Sequence, residues 1–162
     1  MRKLTITSAF AVLALAAGGT AGATAPTTIH QSFPRSIPHY LACPGFWIEG
    51  EFQIDQTTAT FYAEDGTAIK VVRHVRSDGT LSNPLTGRSI PDTGNFKVTV
   101  DVATGERTID GNLNTATIPS GGVIYHAVGR LAFEPDGTIL EAGPHDDADN
   151  NYGDLCSYLA GP

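Results

Sequence analysis

The sequence predicts an all-β protein: an antiparallel meander of seven to eight strands that forms a small β-barrel or barrel-like sandwich with one disulfide. Polar and apolar residues alternate over long stretches, which is typical of half-buried strands. One such apolar series is Phe96, Val98, Val100 and Val102. Dipeptides that end in glycine separate these stretches, because glycine tolerates the positive φ of tight turns. They are Asp65-Gly66, Asp78-Gly79, Thr104-Gly105 and Asp136-Gly137. A fifth dipeptide, Asp110-Gly111, lies inside an extended stretch, where it predicts a bulge or a division into two strands.

The same pattern locates the strands along the chain. Seven strands are expected near residues 45–54, 57–64, 67–76, 94–102, 106–117, 122–134 and 137–142. A short eighth strand is expected near residues 154–159. Strands that follow one another as hairpins favour a barrel, and closure would remove exposed sheet edges. The stretch from Ser82 to Gly94, which contains Pro84 and Pro91, is expected to be an exposed loop.

The N-terminal 23 residues have the pattern of a signal peptide. Two cationic residues precede an uncharged run from Leu4 to Ala17, which is too short for a stable membrane span. The small residues Ala21-Gly22-Ala23 then fit the pattern that signal peptidase cleaves. We therefore expect cleavage after Ala23 and a secreted, extracellular protein.

Two further segments follow the signal peptide. Residues 24–42 contain three prolines and show no periodicity, so they are expected to form an irregular N-terminal arm. Residues 43–162 are expected to form the β-barrel-like domain. The 139 residues that follow the signal peptide are enough for one domain and too few for two.

The charge balance limits the classes of partner. The chain has 10 Lys and Arg residues against 17 Asp and Glu residues, a formal net charge of −7. Loss of the two cations in the signal peptide makes the mature charge −9. Nucleic acid and anionic membranes both require a basic face, so neither is an expected partner. A small molecule or an extracellular protein is expected instead, and the chain is expected to be a monomer.

Cys43 and Cys156 are the two cysteines, and they lie near the two ends of the mature domain. An even number of cysteines in an oxidising compartment predicts a disulfide. A catalytic thiol would leave the second cysteine unexplained. A lipid-anchored cysteine would have to follow the apolar run of the signal peptide directly, and neither cysteine does.

Arg73 and Tyr62 are the candidate ligand-binding residues. Strict alternation puts Arg73 on the same face as Val71 and Val75, where its guanidinium could bind a ligand carboxylate through two parallel hydrogen bonds. The alternatives are a bulge at Val71-Val72 that turns Arg73 outward and an internal ion pair of Arg73 with one of the acidic residues. Tyr62 is the second polar residue expected inside the barrel.

Asp147, Asp149 and Asn151 reproduce the alternating oxygen ligands at the start of a calcium-binding loop. The match then fails, because Tyr152 occupies the glycine position and Tyr158 occupies the position of the bidentate acid. Calcium is the one cofactor that the sequence suggests. The alternative is a solvated polar loop without an ion.

The chain resembles small exported β-proteins of high-GC Gram-positive bacteria. The resemblance rests on five segments: Cys43, Phe46-Trp47, Gly129 to Phe133, Asp136-Gly137 and Asp154-Leu155-Cys156. It implies export, a β fold and the disulfide. It implies no activity, and no functional residue is carried over from it.

The sequence favours a non-catalytic binding or interaction module for a small ligand or an extracellular partner. No serine lies in a nucleophile-elbow motif, and no phosphate-binding loop is present. One alternative is a small-barrel enzyme, such as a cyclase or isomerase, that uses interior polar residues. Another is an inhibitor of a secreted hydrolase, which would need a rigid exposed loop such as Ser82 to Gly94.

Overall fold

The computed structural model describes residues 25–118, 121–147 and 149–161. The predicted signal peptide, residues 1–23, lies outside the described residues. The fold is all-β, as predicted: seven antiparallel strands form one sheet in sequential order, and a short helix follows them. The elements are β1 (Thr27–Cys43), β2 (Phe46–Tyr62), β3 (Ala68–Ser82), β4 (Ser89–Asp101), β5 (Arg107–Ile118), β6 (Gly122–Phe133), β7 (Ile139–Ala142) and α1 (Gly153–Ala160).

The sheet is not closed into a barrel, so of the two expected forms the closed barrel is not the one observed. The reason lies at the outer edge of β6, where β1 would have to pair. The four residues of β7 occupy one part of this edge. Beyond them, the Val128 amide donates to the Pro144 carbonyl over 2.8 Å, and the Asp146 amide donates to the His126 carbonyl over 3.1 Å. This edge is therefore already hydrogen-bonded, and β1 remains a free edge strand.

One end of the sheet nevertheless curls around a hydrophobic core. The hydroxyl oxygens of Tyr40 on β1 and Tyr125 on β6 lie 3.5 Å apart, although four strands separate β1 from β6 in the sheet. Helix α1 packs at this curled end and buries Leu155 and Leu159 completely. The buried core cluster consists of Cys43, Ile48, Phe52, Ile54, Val75, Leu81, Ile90, Ala116, Tyr125, Leu155, Cys156 and Leu159.

The disulfide between Cys43 and Cys156 is confirmed. It joins the last residue of β1 to helix α1, with 5.6 Å between the two Cα atoms. The predicted alternation is also confirmed in β2, where Phe52 and Ile54 face the core while Trp47 is 49% exposed. We call the face that carries Phe52 and Ile54 the inner face of the sheet.

Two predicted boundaries at the start of the domain are wrong. The expected irregular arm, 24–42, is mostly strand β1, which pairs with β2 in continuous register from Thr27 to Ile37. An edge strand hydrogen-bonds on one side only, so it can contain proline. The expected strands 45–54 and 57–64 form the single strand β2, because residues 55 and 56 are paired with strands on both sides.

Two further expectations are corrected in the second half of the core. The loop predicted from Ser82 to Gly94 is reduced to residues 83–88, because Leu81 and Ile90 pair across β3 and β4 and are both fully buried. Residues 154–159, predicted as a short strand, lie in helix α1. No helix among the described residues is long and apolar enough to cross a membrane.

Gly79 lies inside β3, although the Asp78-Gly79 dipeptide predicted a turn. It pairs with Phe52 and Asp92, and the ring of Phe52 covers it. A Cβ atom at this position would collide with the Glu51 carbonyl oxygen and would lie 2.7 Å from the Phe52 ring. Only glycine therefore fits at this position of β3.

We expect Gly79→Ala to lower the free energy of unfolding by about 1 to 3 kcal/mol, the usual range for overpacking a core. The shift of the urea midpoint at constant slope measures this loss. Gly153→Ala is the matched control, because a Cβ atom added at Gly153 would have no other atom within 4 Å. An equal loss in the two variants would contradict the close packing of Phe52 on Gly79.

Candidate functional site

Arg73 lies on the inner face, as strict alternation predicted. It pairs with Thr58 on β2 and Val98 on β4 without a register shift, so the alternative of a bulge at Val71-Val72 is wrong. Its side chain is nevertheless exposed, because the buried core of β3 ends at Val75. Arg73 therefore lies on the open half of the inner face.

Tyr62 lies at the last position of β2. Its hydroxyl is 2.9 Å from the Thr27 hydroxyl of β1, and its Cα partner on β3 is Ala68. Arg73 is five residues from Ala68, about 17 Å along an extended strand. The structure does not bring Tyr62 and Arg73 together in one site.

A cleft of about 160 Å³ opens on the inner face beside the curled core. The first five strands all contribute to it. Its lining residues are Arg35, Ile37, Tyr40, Phe52, Ile54, Ser77, Phe96, Leu113 and Asn114. Five of these nine side chains are apolar, and the polar ones are an arginine, a tyrosine, a serine and an asparagine. We call this site the inner cleft.

Strand β1 supplies the rim of the inner cleft. Arg35 pairs with Phe52, so its side chain shares the inner face with that ring. The register then shifts between Ile37 and Leu41, and this irregularity contains Pro38. Beyond the shift, the Tyr40 ring packs near the Phe52 ring, with 6.1 Å between the ring centroids. The irregularity in β1 thus places a cationic and a phenolic side chain on the same cleft.

Arg35 carries a charge that nothing in the described structure neutralises. The ion pairs within the described residues are Lys97–Asp110 and Arg130–Asp110, and the His126 ring lies 3.3 Å from the Asp146 carboxylate. Arg35 takes part in none of these contacts. A guanidinium presents five N–H donors in a planar fork that matches a carboxylate. Arg35 is therefore free to bind an anionic group at the rim.

The inner end of the cleft is a chain of polar side chains. The Asn114 amide nitrogen donates to Asp92 Oδ2 over 2.5 Å. The Asn114 side chain also interacts with the Tyr40 hydroxyl, which in turn lies 3.5 Å from the Tyr125 hydroxyl. Asp92 has no exposed surface, and its Oδ1 atom has no hydrogen-bond partner. The inner end of the cleft is therefore formed by the Tyr40 hydroxyl and the Asn114 amide, and the buried Asp92 carboxylate holds the amide in place.

Burial determines the protonation of this chain. It raises the pKa values of both Tyr40 and Tyr125 well above the usual range, so both hydroxyls stay protonated. Burial also raises the pKa of Asp92 from 3.8 to about 6, against the opposing effect of its hydrogen bonds with Asn114 and the backbone of Thr115. The neutral Tyr40 hydroxyl and the Asn114 amide are therefore available at the inner end near neutral pH.

The three predicted calcium ligands differ in exposure within the loop before α1. Asp149 and Asn151 are exposed, whereas Asp147 is half-buried and its Oδ1 atom has no hydrogen-bond partner. The charge of Asp147 raises the pKa values of Tyr40 and Tyr125, so it lies near these tyrosines. Within the described residues, no group of three or more His, Cys, Asp or Glu side chains could hold a metal ion.

Asp146 organises this loop, although no sequence motif singles it out. Its Oδ2 atom accepts a hydrogen bond from the His126 amide over 2.8 Å, and its Oδ1 atom accepts one from the Asn151 side chain over 3.2 Å. The carboxylate thus fastens the loop to β6. Its role here is structural.

A second depression, of about 490 Å³, lies on the opposite, outer face. Its side chains form two rows across neighbouring strands, in which Thr57 pairs with His30 and His74 while Asp55 pairs with Ser32 and Arg76. The lining residues are His30, Gln31, Ser32, Asp55, Gln56, Thr57, His74, Val75, Arg76 and Asn95. Nine of these ten residues are polar or charged, so the depression lacks the apolar side-chain walls of a typical small-molecule site.

The residues of the inner cleft that sequence reasoning missed lie in two misassigned segments. Arg35 and Tyr40 belong to the expected irregular arm, and Asp92 belongs to the expected loop. The sequence does contain a signal that Asp92 lies in a strand, because Ile90, Asp92 and Gly94 continue the alternation of Phe96 and Val98. The signal at Tyr40 was weaker, because the irregularity at Pro38 breaks the alternation that would have placed it.

The chain was compared with known proteins in three ways. Comparison with protein-family models, with curated proteins and with solved structures finds no match. The function of the inner cleft is therefore inferred from its geometry and chemistry.

Proposed function

We propose that the protein is an exported, non-catalytic binding protein that holds a small carboxylate with an apolar body in the inner cleft. The observation that carries this proposal is the position of Arg35, a cation without an ion-pair partner among the described residues, at the rim of a cleft with mainly apolar walls. Small-ligand sites commonly combine apolar walls with a few placed polar groups.

The dimensions and the inner end of the cleft define the ligand further. A cavity of about 150 Å³ accommodates benzene, so about 160 Å³ fits a single ring or a short aliphatic chain. Phe52, Ile54 and Phe96 would contact the apolar body. The carboxylate would bind Arg35, and a polar substituent at the other end would reach Tyr40 and Asn114.

Export is the second part of the proposal. It is supported by the signal-peptide pattern of residues 1–23, by the resemblance to exported β-proteins and by the disulfide, which is typical of oxidising compartments. A binding protein that collects a small molecule outside the cell is consistent with these features.

Calorimetric titration with phenylacetate, and with phenylacetamide as its uncharged counterpart, tests the role of Arg35. We expect Arg35→Ala to weaken phenylacetate binding by about tenfold to a hundredfold, since a hydrogen bond to a charged group contributes about 1.5 to 3 kcal/mol. Phenylacetamide binding should be nearly unchanged. Arg73→Ala is the matched control, because Arg73 lies on the same inner face but outside the cleft. Equal phenylacetate affinity in Arg35→Ala and the native protein would overturn the proposal.

A second candidate function is inhibition of a secreted hydrolase, and one observation favours it. Leu85 is 75% exposed on the loop of residues 83–88, and this loop is fastened to α1 because Asn83 and Thr86 both donate to the Leu159 carbonyl. We rank it second because residues 84–86 form a tight turn. A tight turn cannot pair as an extended strand with the edge of an enzyme's sheet.

The alternative of a small-barrel enzyme also ranks below binding. Asp92, with its pKa near 6, is the natural general base of the site. It has no exposed surface, however, and lies behind Asn114. A general base must come within hydrogen-bond reach of the proton that it removes, and Asn114 separates Asp92 from a ligand in the inner cleft.

A further inference from the structure

Strand β1 has an unprotected edge over residues 27–33. Its register with β2 is continuous there, and no other strand pairs with its opposite side among the described residues. This stretch, Thr-Thr-Ile-His-Gln-Ser-Phe, contains no proline, lysine or acidic residue. Natural proteins usually block free edges with such residues, because a free edge is a template for another strand.

The remaining edges of the sheet are protected. From Pro34 onward, β1 contains two prolines, Arg35 and the register shift before Leu41. At the other side of the sheet, β7 has only four residues, one of which is Glu141. The unprotected edge is therefore confined to residues 27–33.

Two of the three side chains on this stretch that face inward are apolar. Ile29 is 59% exposed and Phe33 is 37% exposed, and both share the inner face through their pairing with Thr58 and Ile54. Gln31 lies midway between them. The three inward positions are therefore apolar, polar and apolar in turn, and this order is the same in both chain directions.

We infer that the unprotected edge of β1 pairs antiparallel with the same edge of a second copy, around a two-fold axis at Gln31. This register places Ile29 opposite Phe33 of the second copy, and the symmetry makes the same contact twice. Gln31 faces Gln31 of the second copy, and no like charges are placed opposite one another. The two sheets become one continuous sheet, and the contact is isologous as in most homodimers.

The position of Pro34 is consistent with this pairing. Proline has no N–H, so within an edge strand its nitrogen faces away from the paired neighbour. Backbone groups alternate in direction along a strand, so those of Thr28, His30 and Ser32 also face the free side. In the proposed register His30 pairs with Ser32 of the second copy, and their N–H and carbonyl groups can form hydrogen bonds. This dimer differs from the monomer expected from the sequence.

Sedimentation of the full exported chain over a range of concentrations tests the inference. The native protein should show a reversible increase from the mass of one chain to that of two. Ile29→Lys should weaken association about tenfold or more, because it disrupts two cross-strand pairs and places a lysine on the edge. Ile139→Lys is the matched control, as Ile139 is 52% exposed on the opposite edge strand. A native protein that stays monomeric, or equal weakening by both variants, would overturn the inference.

Two more variants test the register itself. Gln31→Cys should form an interchain disulfide, because only position 31 lies directly opposite its own copy, at a Cα separation that a disulfide can bridge. Thr28→Cys, which lies opposite Pro34 of the second copy, should not. The double variant Ile29→Glu/Phe33→Lys should associate more tightly than Ile29→Glu alone, since it pairs opposite charges across the axis. Preferential cross-linking at position 28 would rule out the two-fold axis at Gln31.

Discussion

Replacement of both Cys43 and Cys156 by serine should lower the free energy of unfolding by about 4 to 5 kcal/mol. The disulfide spans a sequence separation of 113 residues. The chain-entropy model assigns about 4.7 kcal/mol to a loop of about 100 residues, because the cross-link removes conformations from the unfolded chain. This is a large share of the stability of a typical domain, which is about 5 to 15 kcal/mol.

The position of the disulfide adds to this effect. It holds α1 against the curled end, where Leu155 and Leu159 are fully buried. Urea unfolding of the double-serine variant and of the native protein with and without reductant measures the loss. Reduction of the native protein is the control, because it breaks the bond without changing the side chains. Equal urea midpoints in all three samples would contradict the stabilising role of the disulfide.

Asp92→Asn should stabilise the protein at pH 7 by up to about 3 kcal/mol and should have little effect near pH 3.5. The pKa of Asp92 is raised from 3.8 to about 6 in the folded protein, chiefly by burial. A difference of one in pKa corresponds to about 1.36 kcal/mol, so the rise from 3.8 to about 6 corresponds to about 3 kcal/mol. Asparagine keeps an oxygen that can accept from Asn114 but carries no charge.

The sign follows from proton binding. Below about pH 3.8 the carboxyl is protonated in both states, so its burial brings no charge penalty. Between pH 3.8 and 6 the unfolded chain loses the proton while the folded chain keeps it, so the free energy of unfolding falls as the pH rises. Above pH 6 the loss is complete. Urea unfolding of both proteins at several pH values measures the difference, and a pH-independent difference would contradict a buried carboxyl whose pKa is raised in the folded protein.

Alternation along the strands predicted the parts of the fold that local sequence determines. In β2, Phe52 and Ile54 are buried while Glu51 and Gln53 are exposed, as period two requires. The disulfide was also predictable, because two cysteines allow only one pairing within a chain. The alternation depends only on neighbouring residues, and the disulfide depends only on the number of cysteines.

The wrong predictions concern long-range packing. Proline in residues 24–42 suggested irregular structure, yet an edge strand tolerates Pro34 because it pairs on one side only. The sheet stays open because the segment around Pro144 and Asp146 occupies the edge of β6, and nothing local in the sequence shows where that segment packs. Helix α1 has only eight residues, too few for a clear helical period.

The residues of the inner cleft could not be predicted from the sequence for the same reason. Alternation placed Arg73 correctly on the inner face, but it could not show that the core ends at Val75. Arg35 reaches the inner cleft because β1 pairs with β2, and Tyr40 reaches it because the register of β1 shifts at Pro38. Both features depend on tertiary pairing.

Mapping of amide chemical-shift changes by NMR during titration with phenylacetate tests the proposed function most directly. We predict that the largest changes will lie at Tyr40, Ser77, Phe96 and Asn114, which line the inner cleft together with Arg35. Residues of the outer depression, such as His74 and Arg76, should change little. Changes centred on the outer depression or on Arg73, or no changes at any residue, would contradict a carboxylate-binding inner cleft.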